Sequence, residues 1–414
     1  MKHVYTSIDI GSDTVKVVVC EIFNNKLNLL AASSVKSRGV KKGLIVDGQE
    51  AVDSLKQALN EVESMLGIKI KKIITSIPGY NVDFAMIKGQ LELSSEKEID
   101  GSEISTVLSN AAKTKKSKGK EVVTILPVDF TVDENSSVKD PKGLKGDVLT
   151  TRAVIATSPR KNLASVISVI ESCGLEVVDI SLNSIGDMNA VKDKDVKDKV
   201  GAIINIGHET TSISLYNKGI IVKTSVIDRG GKNITSDISY IYKINSSDAS
   251  KIKEKFALAH KKSASVNDTY DITNKNGEVV KINQYEVSEV VMARLEEILV
   301  LARKEINVLT NHEVDYILIT GGTSNMTNFS KIAEEILGKN TKIGTIHLVG
   351  LRHNKYSTAV GNIVYFINKL KLKGKTYSMI SKNDTEELVS SKRSLLNISN
   401  ESMLGKVFGY FFNE

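Results

Sequence analysis

Two glycine-bearing segments carry residue types suited to holding a phosphorylated ligand. The first, Asp9-Ile10-Gly11-Ser12-Asp13-Thr14-Val15-Lys16, ends one apolar run and begins the next. A carboxylate such as Asp9 at a strand end can hold a hydrated Mg²⁺, small turn residues admit backbone N–H groups to a phosphate, and Lys16 adds positive charge. An ordinary hairpin turn accounts for the same residues. The second, Ile317-Leu318-Ile319-Thr320-Gly321-Gly322-Thr323, reads as a buried strand running into a glycine pair before a helix. Without Cβ atoms at Gly321 and Gly322, a flat base or sugar can pack on the backbone. A tight strand–helix turn is the plain alternative.

The elements that position these segments repeat. Residues 3–10, 15–23 and 27–35 read as three antiparallel strands, with a turn at Asn24-Asn25. The pattern returns as 201–206, 212–216 and 220–226, with a turn at Asn217-Lys218-Gly219. Ile8-Asp9-Ile10-Gly11 lies over Ile204-Asn205-Ile206-Gly207, and Thr14 over Thr210, which points to duplication. Helical patterns follow each triplet, one from Ala51 to Leu66 with Gly67 placed to end it, another from Leu163 to Cys173 before Gly174. A third apolar stripe runs from Val287 to Leu309. Mixed sheets flanked by helices, made twice, predict two α/β lobes with a cleft between them.

All four prolines fall between Pro78 and Pro159, a stretch that also holds the charged, turn-rich residues 94–120. It reads as a small α+β insert in the first lobe. After about Lys373 the apolar periodicity fades, and residues 373–400 read as a flexible linker spanning about 25–30 Å. The expected division is a first lobe of 1–83 with 163–190 and about 350–372, an insert of 84–162, a second lobe of 191–349 with a smaller subdomain at 229–300, the linker, and a terminal helix at 401–414.

A chain of 414 residues is too long for one ordinary core, and 41% apolar with 25% charged residues excludes wholesale disorder. The net charge of +7 is dispersed among acidic residues, as in Lys192-Asp193-Lys194-Asp195, so no nucleic-acid partner is expected. Cys20 and Cys173 sit in apolar contexts and read as core residues of a reducing cytosol. No signal peptide or membrane span is evident, so a cytoplasmic protein is expected unless something attaches it to a membrane.

The order of the pieces resembles the actin, Hsp70 and sugar-kinase superfamily, and within it most nearly the FtsA family of bacterial division proteins. DIGSDTVK (9–16) is similar to the first phosphate loop. SRGVKKGLIVD (37–47) is similar to the stretch that follows it. IPGYNV (77–82), ILPVDFTVD (125–133) and DPKGLKGDVL (140–149) resemble sequences bracketing the FtsA insert. RGGKNITSDI (229–238), ITGGTSNM (319–326) and STAVGNI (357–363) complete the likeness. It implies duplicated actin-like, RNase H-like lobes around a cleft that takes ATP and Mg²⁺. The contacts it implies are Asp9 (to Mg²⁺ through water), Gly11, Ser12, Asp13, Thr14 and Lys16 in the first loop, and Asn205, Gly207, Thr210 and Thr211 in the second. Gly230, Gly231, Lys253, Gly321, Gly322 and Thr323 complete the set. No catalytic residue is implied.

Departures from the family pattern are specific. Its second loop usually reads Asp-Ile-Gly-Gly-Gly-Thr-Thr, where this chain has Asn205-Ile206-Gly207-His208-Glu209-Thr210-Thr211. Asn205 lacks the carboxylate that would help hold metal-bound water. His208 and Glu209 replace glycines where backbone approaches the terminal phosphate, and Glu209, unless turned outward, repels a polyanion. The family's Ala-Glu-x-x-Lys appears as Ala249-Ser250-Lys251-Ile252-Lys253, keeping Lys253 without the sugar-binding carboxylate. The expectation is a nucleotide binder with weak or absent ATPase activity.

In the last residues, Met403, Leu404, Val407, Phe408, Phe411 and Phe412 fall on one side of a helix, with Gly405, Lys406, Gly409 and Asn413 opposite. Such a stripe either docks on the parent body or inserts into a membrane surface, and its place after a polar linker favours the membrane. Six large apolar side chains give roughly 10 kcal/mol gross before ordering costs, so attachment should be weak and reversible. Firm anchoring then needs many tails acting together, as a filament supplies.

The resemblance implies a cell-division adaptor that polymerises with itself, lies peripherally on the cytoplasmic face of the cell membrane at the division site, and holds the C-terminal tail of FtsZ. It places Arg294 in the helix that receives that tail, while a solvated helix arginine is the bland reading. The competing readings are an ATPase or phosphotransferase of the same fold, and a PilM-like pilus-assembly protein.

Overall fold

A computed structural model of the chain describes residues 3–94, 97–115, 119–193, 196 and 198–381. It opens with an antiparallel meander of β1 (His3–Ile10), β2 (Thr14–Phe23) and β3 (Lys26–Lys36). The β2–β3 turn is Asn24-Asn25, both at positive φ, the geometry a two-residue hairpin requires and asparagine tolerates. A short hairpin follows, β4 (Val40–Lys41) with β5 (Leu44–Ile45). α1 (Gly48–Leu66) starts where the Asp47 side chain accepts from the Glu50 N–H and stops on Gly67 at φ 74°. Its face of Leu55, Leu59 and Val62 is buried, worth roughly 1.5–3 kcal/mol per large side chain. β6 (Lys72–Ile77) then lies parallel to β1.

The insert comprises β7 (Asp83–Glu92), α2 (Gly101–Lys113), β8 (Lys120–Val132) and β9 (Val148–Pro159), its strands in the order β7-β9-β8. It has its own core, including Ile104, Val107, Phe130, Leu149 and Ile155. α2 runs through the segment expected to be turn-rich, because Asp100 and Glu103 form a reciprocal capping box above an apolar face. α3 (Arg160–Glu171) and β10 (Glu176–Leu182), parallel to β6, complete the first sheet.

α4 (Asn183–Val191) leads into the second meander of β11 (Val200–Ile206), β12 (Thr211–Asn217) and β13 (Ile220–Ile227). After it come α5 (Gly231–Ile241), α6 (Ser246–Lys255), a hairpin of β14 (Thr269–Thr273) and β15 (Val279–Asn283), and α7 (Gln284–Leu309). β16 (Tyr316–Thr320), α8 (Phe329–Leu337), β17 (Thr341–Ile343) and α9 (Ser357–Leu372) follow.

The strand orders are β3-β2-β1-β6-β10 and β13-β12-β11-β16-β17. Each sheet is thus an antiparallel triplet continued by two parallel strands, the same wiring made twice. α4 and α9 cross beneath the junction at Gly186 and Gly361, where a Cβ on Gly361 would lie 1.6 Å from the Gly186 carbonyl oxygen.

The stretch expected to be linker from 373 begins with a docked segment. The Met379 N–H donates to the Val4 carbonyl at 2.9 Å, Met379 and Ile380 are buried, and Tyr377 meets Phe366 edge to face. These apolar side chains interrupt the polar run and hold it against β1. The expected terminal helix and the rest of the linker lie outside the described residues.

Candidate functional site

The ends of β1 and β11 arrive at one cleft of about 520 Å³, within the range that binds small ligands. The two loops have the same turn. The Gly11 N–H donates to the Thr14 carbonyl at 3.1 Å, and the Gly207 N–H to the Thr210 carbonyl at 2.9 Å. Asp9, Gly11, Ser12, Asp13, Thr14 and Lys16 line the cleft from the first lobe. Asn205, Gly207, Thr210, Gly231, Lys253, Gly321, Gly322 and Thr323 line it from the second.

Thr211 and Gly230 are not brought to the cleft wall. The Thr211 hydroxyl is buried and donates to the Arg229 carbonyl at 2.9 Å. Gly230 packs behind the second loop, where a Cβ would lie within 2.7 Å of the Gly207 and His208 carbonyl oxygens. Both shape the loop from behind.

Lys16 donates to Asp9 at 2.9 Å, and both side chains are largely buried. A metal ion held by Asp9 through water would share that carboxylate with Lys16. Among the described residues no group of three or more His, Cys, Asp or Glu is placed to hold a metal directly. Ser12 accepts from the Gly43 N–H at 2.7 Å, tying the β4–β5 hairpin to the first loop.

The glycine pair divides its work. Gly321 sits at φ 92°, and a Cβ there would lie 2.4 Å from Asn205 Oδ1, so it serves the close approach of β16 to the second loop. Gly322 faces open cleft, with only Lys355 Cβ near, 3.7 Å from where its own Cβ would stand. The flat surface expected at both glycines is therefore offered by Gly322. A short 3₁₀ turn, Gly322–Asn325, stands between the pair and α8. Thr323 donates to the Gly207 carbonyl at 3.2 Å, and Lys253 to Thr235 Oγ1 at 2.9 Å, its ammonium pKa lowered by burial.

Two carboxylates escaped the sequence reading. Glu254 lines the cleft one helical turn after Ser250, whose hydroxyl holds it at 2.9 Å, so a carboxylate does stand on this wall. An i, i+4 search along α6 would have found it. Asp187, fully buried on α4, accepts from Ser357 (2.6 Å), Thr358 (2.8 Å) and Asn205 Nδ2 (2.7 Å). Burial pushes its carboxyl up to about 6 against these bonds. Nothing local in the sequence marks it.

His208 and Glu209 are both engaged. His208 Nε2 lies 3.8 Å from Asp13 Oδ1, and burial lowers the imidazole pKa. The Glu209 carboxylate accepts from the Lys42 N–H and from Lys232 Nζ, each at 2.6 Å. Burial alone would raise this carboxyl, but Lys232 and the Lys42 amide outweigh it and the net shift is downward. Arg294 grips Asp237 through Nε (2.6 Å) and Nη2 (2.9 Å) and also meets Glu297.

A flat group such as a base or sugar would meet no side chain of Gly322, and small residues of the first loop line the same cleft, so the residues present are compatible with a phosphorylated ligand. Among the described residues no helix is long and apolar enough to cross a membrane.

The family model described as cell division protein FtsA matches residues 202–361, and the one described as an SHS2 domain inserted in FtsA matches residues 79–157. The cell division protein FtsA of Bacillus subtilis strain 168 is 30% identical over 377 residues, covering 90% of this chain and 86% of that protein. Among solved structures, the PilM–PilN type IV pilus biogenesis complex is similar with a TM-score of 0.57 at 15% identity, covering 88% of this chain and 98% of that one. MreB5 of Spiroplasma citri bound to ADP gives 0.55 at 14% identity, covering 90% and 98%.

Proposed function

The chain belongs to the FtsA family of cell-division proteins, and from that premise we propose that it is an adaptor between FtsZ and the membrane. Its fold is the duplicated actin-like one. On this reading the interlobe cleft binds an adenine nucleotide, with Mg²⁺ held through water at Asp9, and hydrolyses it weakly or not at all. Copies join head to tail into a filament. Residues 401–414 insert into the phospholipid surface on the cytoplasmic side of the division site, and the C-terminal tail of FtsZ docks on the second lobe beside Arg294. Residues 84–162 serve as the inserted subdomain of the family.

The observation that carries the nucleotide reading is the convergence on one cleft of two loops closed by the same turn hydrogen bond, with the open face of Gly322 on the same cleft. The neighbouring MreB5 structure contains ADP in a protein of the same fold, which supports it. The membrane reading rests on the six-residue apolar stripe from Met403 to Phe412. The PilM likeness, at 15% identity, extends to the fold alone.

Flotation with phospholipid vesicles tests the attachment. The full chain should rise with the vesicles, and a chain lacking residues 401–414 should remain at the bottom while giving an unchanged thermal unfolding curve. Equal flotation of the two would remove the tail from the account.

A further inference from the structure

We propose that His208 and Glu209 make this cleft selective for a nucleoside diphosphate over a triphosphate. The proposal rests on the reading of the cleft as a nucleotide site and names which nucleotide it takes.

The space between the loops is the first ground. His208 Nε2 stands 3.8 Å from Asp13 Oδ1. A phosphoryl group between them would need about 2.8 Å for a hydrogen bond on each side, beyond its own width. A phosphate chain can therefore extend between the loops only by parting these residues.

The second loop cannot easily retreat. Its Gly207 carbonyl accepts from the Gly231 N–H at 2.9 Å and from Thr323, and its His208 carbonyl from the Lys232 N–H at 2.7 Å. Neither His208 nor Glu209 has positive φ, so their side chains are carried without backbone strain.

Charge points the same way. Lys16 is paired with Asp9, Lys36 with Asp13, Lys42 with Asp228 and Lys232 with Glu209. On the cleft wall a terminal phosphate dianion would enter beside Asp13, where Lys16 is already paired with Asp9, while the Glu209 carboxylate is held off that wall by Lys232 and the Lys42 amide. Glu209 also crosses from the second loop to the Lys42 amide of the first-lobe hairpin. The lobes are thus joined by protein contacts beside the second loop, next to the His208–Asp13 approach, while the cleft at Gly322 stays open.

Equilibrium titration of the full chain with fluorescent ADP and ATP analogues, each with Mg²⁺, is the test. The unaltered chain should bind the diphosphate tighter by about tenfold or more, and a His208→Gly/Glu209→Gly variant should lose that preference by gaining triphosphate affinity. Glu209→Gln, which keeps the side chain's size but removes the charge that holds Lys232 and the Lys42 amide, should narrow the preference and serves if the loop variant fails to fold. Equal or tighter triphosphate binding by the unaltered chain overturns the proposal, as does an undiminished preference in the folded variants. Binding of neither nucleotide would instead defeat the underlying reading of the cleft, and the proposal with it.

Discussion

Asn205 Nδ2 donates to the buried Asp187 carboxylate at 2.7 Å, and this bond fastens the second loop to the helices beneath the cleft. Asp187 also takes the Ser357 and Thr358 hydroxyls at the start of α9, so a single carboxylate ties α4, α9 and β11 together. Asn205, which replaces the family's aspartate, is an amide that can donate here, whereas a second carboxylate would repel the first.

That arrangement predicts a pH dependence. The Asp187 carboxyl is pushed up to about 6 by burial, against an ordinary value of 3.8. Between about pH 4 and pH 6 the folded state keeps a proton that the unfolded state has lost, so stability falls as pH rises through that window and levels off above it. The contribution lost is about 3 kcal/mol. Thermal unfolding followed across this range should show the slope, and Asp187→Asn should flatten it. An identical slope in the variant would contradict the assignment.

The glycine pair should separate fold from ligand. Gly321→Ala forces a Cβ against Asn205 and the Ile206 carbonyl at positive φ, and should cost on the order of 2 kcal/mol or more in urea unfolding. Gly322→Ala meets only open cleft, so stability should hold while nucleotide affinity falls. The reverse pattern would mean the roles are exchanged.

The α4–α9 crossing makes a third prediction. Gly361→Ala would drive a methyl into the Gly186 carbonyl, and overpacking of this kind should cost on the order of 3 kcal/mol, read as a lower urea midpoint. A variant as stable as the parent would show that the two helices can move apart freely.

Much of this was legible beforehand, and the reason is locality. The meanders announce themselves through apolar runs broken by Asn24-Asn25 and by Lys218-Gly219, all four at positive φ, a conformation that asparagine and glycine favour. Gly67 and Gly174 mark helix ends for the same reason, both at positive φ. What stayed hidden depends on contacts distant in sequence. Asp187 matters only because α9 arrives from 170 residues later, and Thr211 and Gly230 turn away from the cleft only because the second loop must be packed from behind. α2 was within reach, since Asp100 and Glu103 have capping-box spacing.

Arg294 carries a fourth prediction. Its paired bonds to Asp237 and its contact with Glu297 commit it within the second lobe, so an FtsZ tail carboxylate would have to share it. Arg294→Ala should cost about 1 kcal/mol or less of stability, as partly exposed pairs do, while weakening binding of an FtsZ C-terminal peptide measured by fluorescence anisotropy. Unchanged peptide affinity would leave Arg294 with the ion pairs alone.

The adaptor role itself is tested most directly by flotation of FtsZ with phospholipid vesicles in the presence and absence of this chain. The account predicts that FtsZ rises with the vesicles only when the full chain is present, and stays behind when residues 401–414 are removed. FtsZ left at the bottom beside vesicles that carry the full chain would contradict it.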